Sequence, residues 1–168
     1  MTRPAASLCA TLFACVLAAL AGCGQDEPRQ GTVPTAPTAA PSEPTSSDLG
    51  DFQLHYNAIR TDVLSPEVAR AYGIERSANR VLLNVSLLRK NADGTTSPAD
   101  GAVTASAYNL TGQTKELTMR RISEGTSVYY IGEVGISGNE ILVFDIEVVP
   151  PGQNTRHTVR FKREFYSD

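Results

Sequence analysis

Residues Arg80 to Lys90 read RVLLNVSLLRK, and the alternation within this stretch decides the fold class. Every second position carries a large apolar side chain, at Val81, Leu83, Val85 and Leu87. Because successive side chains of a strand point to opposite faces, these four share one face, and Asn84 and Ser86 lie on the other. One apolar and one partly polar face is typical of an antiparallel sheet that covers a core on one side only.

The same period of two recurs in Leu142 to Val148 and in Val159 to Phe165. Four further strands are predicted at Asp51 to Ala58, Ala102 to Leu110, Thr114 to Ile122 and Ser127 to Ile136. Turn signals such as Asn91-Ala92-Asp93-Gly94 and Pro150-Pro151-Gly152 separate them at short intervals. The sequence therefore predicts an all-β protein, an antiparallel immunoglobulin-like β-sandwich of about seven strands, with a small barrel as the alternative architecture.

One segment, Ser65 to Gly73, departs from the period-two alternation and predicts a short helix. Ser65 suits the N-cap, the following Pro66 suits the first helical position, and Gly73 suits the stop. Val68, Ala69 and Tyr72 form the expected apolar face. We expect this helix to close one end of the sandwich.

The first 22 residues have the three parts of a bacterial export signal. Arg3 precedes a mostly apolar run from Ala5 to Ala21, and small residues lead up to Cys23. The tetrapeptide Leu20-Ala21-Gly22-Cys23 resembles the lipobox of bacterial lipoproteins. This resemblance implies cleavage before Cys23 and attachment of lipid to its side chain. Two or three acyl chains make such an anchor durable, at about 0.8 kcal/mol per buried methylene.

Residues 23–48 follow as the lipidated N-terminus and a linker rich in Pro, Thr and Ala, and residues 49–168 form the predicted β-sandwich domain. The linker composition cannot bury enough apolar surface to fold, and about 25 residues of this kind reach on the order of 75 Å at most. Gly24 stands where Asp is the usual inner-membrane retention signal. We therefore expect a protein anchored by lipid in the cell envelope, facing the periplasm, with the outer membrane favoured.

Charge and cysteine content argue against several function classes. Residues 49–168 hold 13 Lys and Arg against 14 Asp and Glu, and this balance argues against nucleic acid as a partner. Cys9 and Cys15 lie in the signal segment, so the mature chain keeps Cys23 alone, which leaves no disulfide and no thiolate nucleophile. The membrane, reached through the lipid, and an envelope protein are the expected partners.

The remaining titratable residues show no catalytic or metal-binding pattern. His55 and His157 lack the spacing of metal ligands, and both are expected at the surface. Asp145 and Glu147 share one strand face, as solubilising acids commonly do. We predict a protein without catalytic activity, cofactor or metal.

Several stretches of the domain together resemble an uncharacterised family of Gram-negative envelope lipoproteins, the domain-of-unknown-function family numbered 4426. The resemblance rests on His55 to Ala58, Leu64 to Ile74 with Arg76-Ser77, Leu82 to Ser86, Asn109 to Gln113, Arg121 to Gly125 leading to Val128 to Gly132, and Phe165-Tyr166. Ser123 stands where an Arg is expected in the family. The resemblance implies membership in this family and assigns no activity.

Three residues are candidates for binding a partner. Arg76 and Arg80 lie in the loop after the helix, where two guanidinium groups suit an anionic group of a partner. A structural role that pins the helix to the sheet is the favoured one for Arg76. Tyr129 and Tyr130 must point to opposite faces of their strand, which leaves one of them on an outer face. The favoured function is a lipid-anchored periplasmic binding or adaptor module. The alternatives are a carrier with an apolar pocket for a small ligand and, less favoured, a hydrolase.

Overall fold

The structure is a computed structural model that describes residues 45–166. The predicted signal segment, the lipid site at Cys23 and most of the linker lie outside the described residues. No helix within residues 45–166 is long and apolar enough to cross a membrane.

The described residues form two antiparallel sheets, one α-helix and one 3-10 turn. In chain order the elements are β1 (Ser46–Asp48), β2 (Phe52–Arg60), the 3-10 turn (Thr61–Val63), α1 (Pro66–Tyr72), β3 (Arg80–Lys90), β4 (Thr96–Pro98), β5 (Ala102–Asn109), β6 (Thr114–Lys115), β7 (Arg120–Glu124), β8 (Ser127–Gly135), β9 (Glu140–Val149) and β10 (His157–Phe165). The first sheet has the order β1-β2-β3-β8-β7, with β4 paired to β3, and the second has the order β10-β9-β5-β6. Seven strands have five residues or more, which confirms the predicted antiparallel sandwich with one short helix.

The core lies between the two sheets and follows the period-two pattern of the sequence. The predicted inward positions of β3 and β9 are all fully buried, namely Val81, Leu83, Val85, Leu87, Leu142, Phe144, Ile146 and Val148. Phe161 of β10 joins the sheets, since its ring centroid lies 5.0 Å from that of Phe144 and 4.8 Å from that of Tyr56 on β2. Burial of large apolar side chains of this kind contributes about 1.5–3 kcal/mol each.

The single strand predicted over Thr114 to Ile122 is wrong, because the chain changes sheets within it. Thr114–Lys115 pairs with β5 in the four-stranded sheet, and Arg120–Glu124 pairs with β8 in the six-stranded sheet. Between them, Leu117 and Met119 pack against the core. Alternate residues point inward throughout the crossover, so the sequence shows one continuous pattern.

Two further differences concern the ends of the predicted elements. Ser46–Asp48, which the sequence assigned to the linker, pairs with Gln53 to His55 and forms β1 at the edge of the six-stranded sheet. The short helix does not close an end of the sandwich. It lies on the outer face of the six-stranded sheet, because Leu82 and Ile131 project outward there and are buried beneath it.

Candidate binding groove

Helix α1 forms and ends as its sequence dictates. The side chain of Ser65 accepts a hydrogen bond from the backbone N–H of Val68 at 3.2 Å, and Pro66 occupies the first helical position. Gly73 ends the helix with φ of 61°, a left-handed conformation that favours glycine. These contacts confirm the predicted caps.

The connection between β2 and β3 is tied closed at its base, which holds α1 over the sheet. The buried hydroxyl of Thr61 donates to the carbonyl of Ser77 at 3.1 Å and accepts from the Ser77 N–H at 2.9 Å. Arg76 donates to the carbonyl of Asp62 at 2.6 Å. These contacts hold the end of β2 next to the start of β3, and so they fix the position of α1 between the two strands.

Beneath α1 lies a small apolar cluster that is separate from the sandwich core. Its buried members are Ala69, Ile74, Leu82 and Ile131. Leu82 and Ile131 come from the outward face of the sheet, and the other two come from the connection that carries the helix. Polar residues usually occupy the outward face of a half-exposed sheet, so this cluster marks a surface that is built to be covered.

The helix covers this outward face only in part and leaves a groove of about 320 Å³ beside it. We call it the α1 groove. Its sheet side is formed by apolar side chains of four strands, namely Ile59, Leu82, Ile122, Tyr129 and Ile131. Its helix side is formed by Leu64, Val68, Tyr72 and Ile74. Val68, expected on the buried face, is 42% exposed and stands at the rim.

Polar contacts tie the helix to β7 at one end of the groove. The Tyr72 hydroxyl donates to Glu124 Oε2 at 2.6 Å, and the Arg120 guanidinium donates to the Tyr72 carbonyl. The hydrogen bond to the Glu124 carboxylate raises the pKa of Tyr72, so its hydroxyl keeps its proton at physiological pH. The two contacts hold the last turn of the helix against the edge strand.

At the other end the groove meets two asparagines. Asn57 and Asn84 line it there, and both also line an adjoining pocket of about 250 Å³ that includes Thr45 and His55. The Asn57 side-chain oxygen accepts a hydrogen bond from Arg163. The side-chain oxygen of Asn84 is buried and has no hydrogen-bond partner among residues 45–166. An unpaired buried acceptor of this kind costs about 1–3 kcal/mol of folding free energy.

The structure places one of the three predicted binding residues in this groove. Tyr129 lines it on the outer face of β8. Arg76 is held by the Asp62 carbonyl, and Arg80 lies 3.4 Å from Glu75 and 3.6 Å from Glu133. The two arginines belong to the return from α1 to β3 and do not line the groove.

Tyr130, the neighbour of Tyr129, points into the sandwich, as the opposite-face argument requires. Its hydroxyl accepts the Gly101 N–H at 3.0 Å and lies 2.7 Å from Asp100 Oδ1 and 2.6 Å from the Gly101 carbonyl oxygen, the two acceptors for its single proton. Burial and the Asp100 hydrogen bond raise the pKa of Tyr130. Arg121 lies 2.7 Å from Asp100 and, together with Tyr130, lowers the pKa of that carboxyl. This network is structural, because it joins β8 to the loop before β5.

The acids and histidines considered from the sequence are dispersed. Asp145 accepts two hydrogen bonds from Arg160, at 2.6 and 2.8 Å, which lower its pKa, and Glu147 pairs with Arg156 at 3.0 Å. His55 is half-buried, whereas a surface position was expected for it. Within the part of the chain that the structure describes, no three His, Cys, Asp or Glu side chains gather as metal ligands would.

Most of the groove was missed by sequence reasoning, although a signal for it exists. Leu82 and Ile131 are large apolar residues at positions whose alternation points them outward. Two such exceptions on neighbouring strands indicate a covered outer face. Strand pairing was needed to see that they are neighbours.

Comparison with known proteins identifies relatives of the whole domain. The family model described as "Domain of unknown function (DUF4426)" matches residues 46–168, which confirms the resemblance found in the sequence. A crystal structure of a DUF4426 family protein from Pseudomonas aeruginosa PAO1 is 36% identical, with a TM-score of 0.63 over 75% of this chain and 96% of that chain. Among curated proteins no relative matches.

More distant solved structures share the fold. FetP of uropathogenic Escherichia coli strain F11, expressed in the periplasm, is 13% identical, with a TM-score of 0.52 over 72% of this chain and 92% of that chain. A copper-bound variant of FetP is 15% identical, with a TM-score of 0.50 over 71% of this chain and 93% of its own. At this level of identity the likeness concerns the fold alone.

Proposed function

The chain belongs to the DUF4426 family, and we propose that it is a lipid-anchored envelope protein that binds a partner protein in the α1 groove. In this proposal Cys23 carries the lipid, the Pro-rich linker spaces the domain from the membrane, and the domain works on the periplasmic side. Gly24 favours the outer membrane. The partner is a protein of the envelope, and nucleic acid is not a partner.

The α1 groove is the observation that carries the proposal. Its volume of about 320 Å³ lies at the lower end of the range of small-molecule pockets, about 300–1,000 Å³, which is enough for a few side chains of a partner. Nine apolar side chains line it, including the rings of Tyr72 and Tyr129. Tyrosine is common at protein interfaces because it combines a large apolar area with a hydroxyl group. An extended apolar segment of a partner therefore fits this surface best.

The geometry supports binding over the two alternatives. A carrier that encloses its ligand needs a cavity between the sheets, yet the inward side chains of β3 and β9 are fully buried and the apolar α1 groove lies on an outer face. A hydrolase needs acids that are free to act, and Asp145 and Glu147 are each neutralised by an arginine. We propose that the protein has no catalytic activity and needs no cofactor.

Arg76 and Arg80 are secondary candidates for binding the partner. Arg76 lies in the connection that carries the helix, and Arg80 is the first residue of β3, with a side chain that is 41% exposed. They remain predicted contacts for an acidic group of a partner that extends past the helix. Tyr129 is the predicted central contact because it lies within the groove.

Cross-linking in intact cells tests the function. We expect the wild-type chain to recover one envelope protein that the Val68→Asp variant recovers at least tenfold less, because a carboxylate at the groove rim opposes an apolar ligand. Leu110→Asp is the matched control, since Leu110 is 66% exposed and does not line the groove. Equal recovery by Val68→Asp and the wild type contradicts the proposal.

The anchor has its own test. Wild-type protein should fractionate with membranes and show a lipid-modified N-terminal Cys23 by mass spectrometry. The Cys23→Ala variant should appear in the soluble fraction. Membrane association that survives Cys23→Ala would refute lipid attachment at this residue as the anchor.

A further inference from the structure

Strand β7 is an open edge of the six-stranded sheet. Its five residues, Arg120–Glu124, all pair with β8 on one side, and within residues 45–166 no further strand pairs with the other side. Four of the five residues are exposed, and Ile122 is half-buried. An edge strand presents unpaired backbone groups to which another extended chain can bind. The outer side of β7 is therefore a surface on which a further strand can be added.

The hairpin between β7 and β8 determines which backbone groups of β7 are available. Its turn consists of residues 125–126, so Glu124 and Ser127 form the closing pair of a two-residue hairpin. Along an antiparallel strand, successive residues alternate in the side to which their N–H and C=O groups point. Because the backbone groups of Glu124 point towards β8, those of Arg121 and Ser123 point to the open edge.

The outer face of β7 carries one positive and one negative side chain on either side of an apolar one. Arg120, Ile122 and Glu124 follow one another on the face that bears helix α1. Arg120 donates to the Tyr72 carbonyl and Glu124 accepts from the Tyr72 hydroxyl, so both contacts are with uncharged groups. Neither residue forms a salt bridge within residues 45–166. Each therefore keeps a charge that can pair with an opposite charge of another molecule.

We propose that two copies of this chain pair through their β7 strands, antiparallel and centred on Ile122. In this register Arg120 of each copy lies opposite Glu124 of the other, and the two Ile122 side chains meet at the two-fold axis. Arg121 of each copy exchanges backbone hydrogen bonds with Ser123 of the other. The two six-stranded sheets become one continuous sheet, with both α1 grooves on the same face. The inference goes beyond the proposed function, because it concerns a second copy of the chain and not the envelope partner.

The charge pattern selects this register and this edge. A shift of the centre by one residue would place Arg121 opposite itself or Glu124 opposite Ile122. Strand β10, the edge of the four-stranded sheet, is longer, but self-pairing about its middle residue places Arg160 opposite Lys162. Like charges directly opposite each other destabilise a sheet. The edge strands β1 and β6 have only three and two residues, so β7 is the edge that fits a second copy best.

Disulfide trapping tests the register. In the mature chain, residues 23–168 with Cys23→Ser, Ile122→Cys places a single thiol at the proposed two-fold axis. A non-hydrogen-bonded antiparallel pair has its Cα atoms about 4.5 Å apart, within the range of about 4.4–6.8 Å that a disulfide spans. With an added oxidant, we expect at least tenfold more covalent dimer from Ile122→Cys than from Ser123→Cys, whose exposed side chain points to the other face. Equal yields from the two positions, or a dimer from neither, overturn the inference.

Charge reversal tests the pairing without a covalent bond. Arg120→Glu and Glu124→Arg should each lower the dimer association constant at least tenfold in sedimentation experiments, because each places like charges opposite one another. An equal mixture of the two variants should restore the dimer, which also shows that both fold. Lys162→Glu on β10 is the matched control and should leave the association constant unchanged. A mixture that sediments as monomers, or loss of the dimer in the Lys162→Glu control, contradicts pairing through β7.

Discussion

Gly132 on β8 should be one of the least replaceable residues of the sandwich. A Cβ atom added there would lie 2.7 Å from Leu117 Cδ1, 2.8 Å from Met119 Sδ and 3.1 Å from the Thr118 carbonyl oxygen. These are the residues of the crossover between β6 and β7, which packs directly on the inner face of β8. Real carbon contacts are longer, so Gly132→Ala forces the Leu117 and Met119 side chains to repack and the Thr118 carbonyl to give way slightly.

Overpacking of this kind costs about 1–3 kcal/mol of folding free energy. Gly135 provides a matched control in the same strand, because a Cβ atom added there meets nothing within 4 Å. Gly135→Ala should be neutral or stabilise by up to about 1 kcal/mol, since it restricts the unfolded chain. Urea unfolding of residues 23–168 with Cys23→Ser measures both variants against the same parent.

A second substitution separates packing from other causes. Leu117→Ala removes the atom nearest to the Cβ atom added at position 132. It should therefore lower the free energy of unfolding by less in the Gly132→Ala background than in the parent. If Gly132→Ala is as stable as the parent, the crossover does not pack on β8 as described.

Two further predictions concern side-chain contacts. Tyr130→Phe should cost about 1–3 kcal/mol because it leaves the Gly101 N–H without its hydroxyl partner, whereas Tyr129→Phe, on the outer face, should change urea stability by less than about 0.5 kcal/mol. Asp145→Asn should destabilise at pH 7 and lose its effect in acid, because Arg160 lowers the pKa of Asp145 below the ordinary value of 3.8. A lowered pKa gives stability that is present above pH 3.8 and lost as the pH falls towards the folded-state pKa, so unfolding curves of the two proteins should converge there. A difference that persists unchanged at pH 2 contradicts the ion pair.

The alternation of the sequence was sufficient to predict the sandwich because burial on one face imposes a period of two. The stretch Arg80 to Lys90 is a strand with the predicted bounds, and Ser65, Pro66 and Gly73 cap the helix through local contacts alone. Local signals of this kind need no knowledge of which strands are neighbours. Local signals therefore predict strands and helices more readily than they predict a binding site formed by several strands.

The crossover and the α1 groove depend on such neighbours. Residues 116–119 keep the alternating pattern while the chain changes sheets, and Gly132 lies beneath them, where a side chain would contact Leu117 and Met119. The groove requires Leu82 of β3 and Ile131 of β8 to lie side by side under the helix. That proximity follows from the pairing of strands that are far apart in the chain, and the alternation of a single sequence does not show which strands pair.

We propose above that a partner protein binds in the α1 groove. Site-specific photo-cross-linking in intact cells measures this most directly, with a photoreactive amino acid in place of Val68 at the groove rim or of Leu110 outside it. We expect one discrete protein adduct from position 68, at least tenfold stronger than from position 110, and its loss when Tyr129 is replaced by Asp. Equal adducts from both positions, or an adduct from position 110 alone, would contradict it.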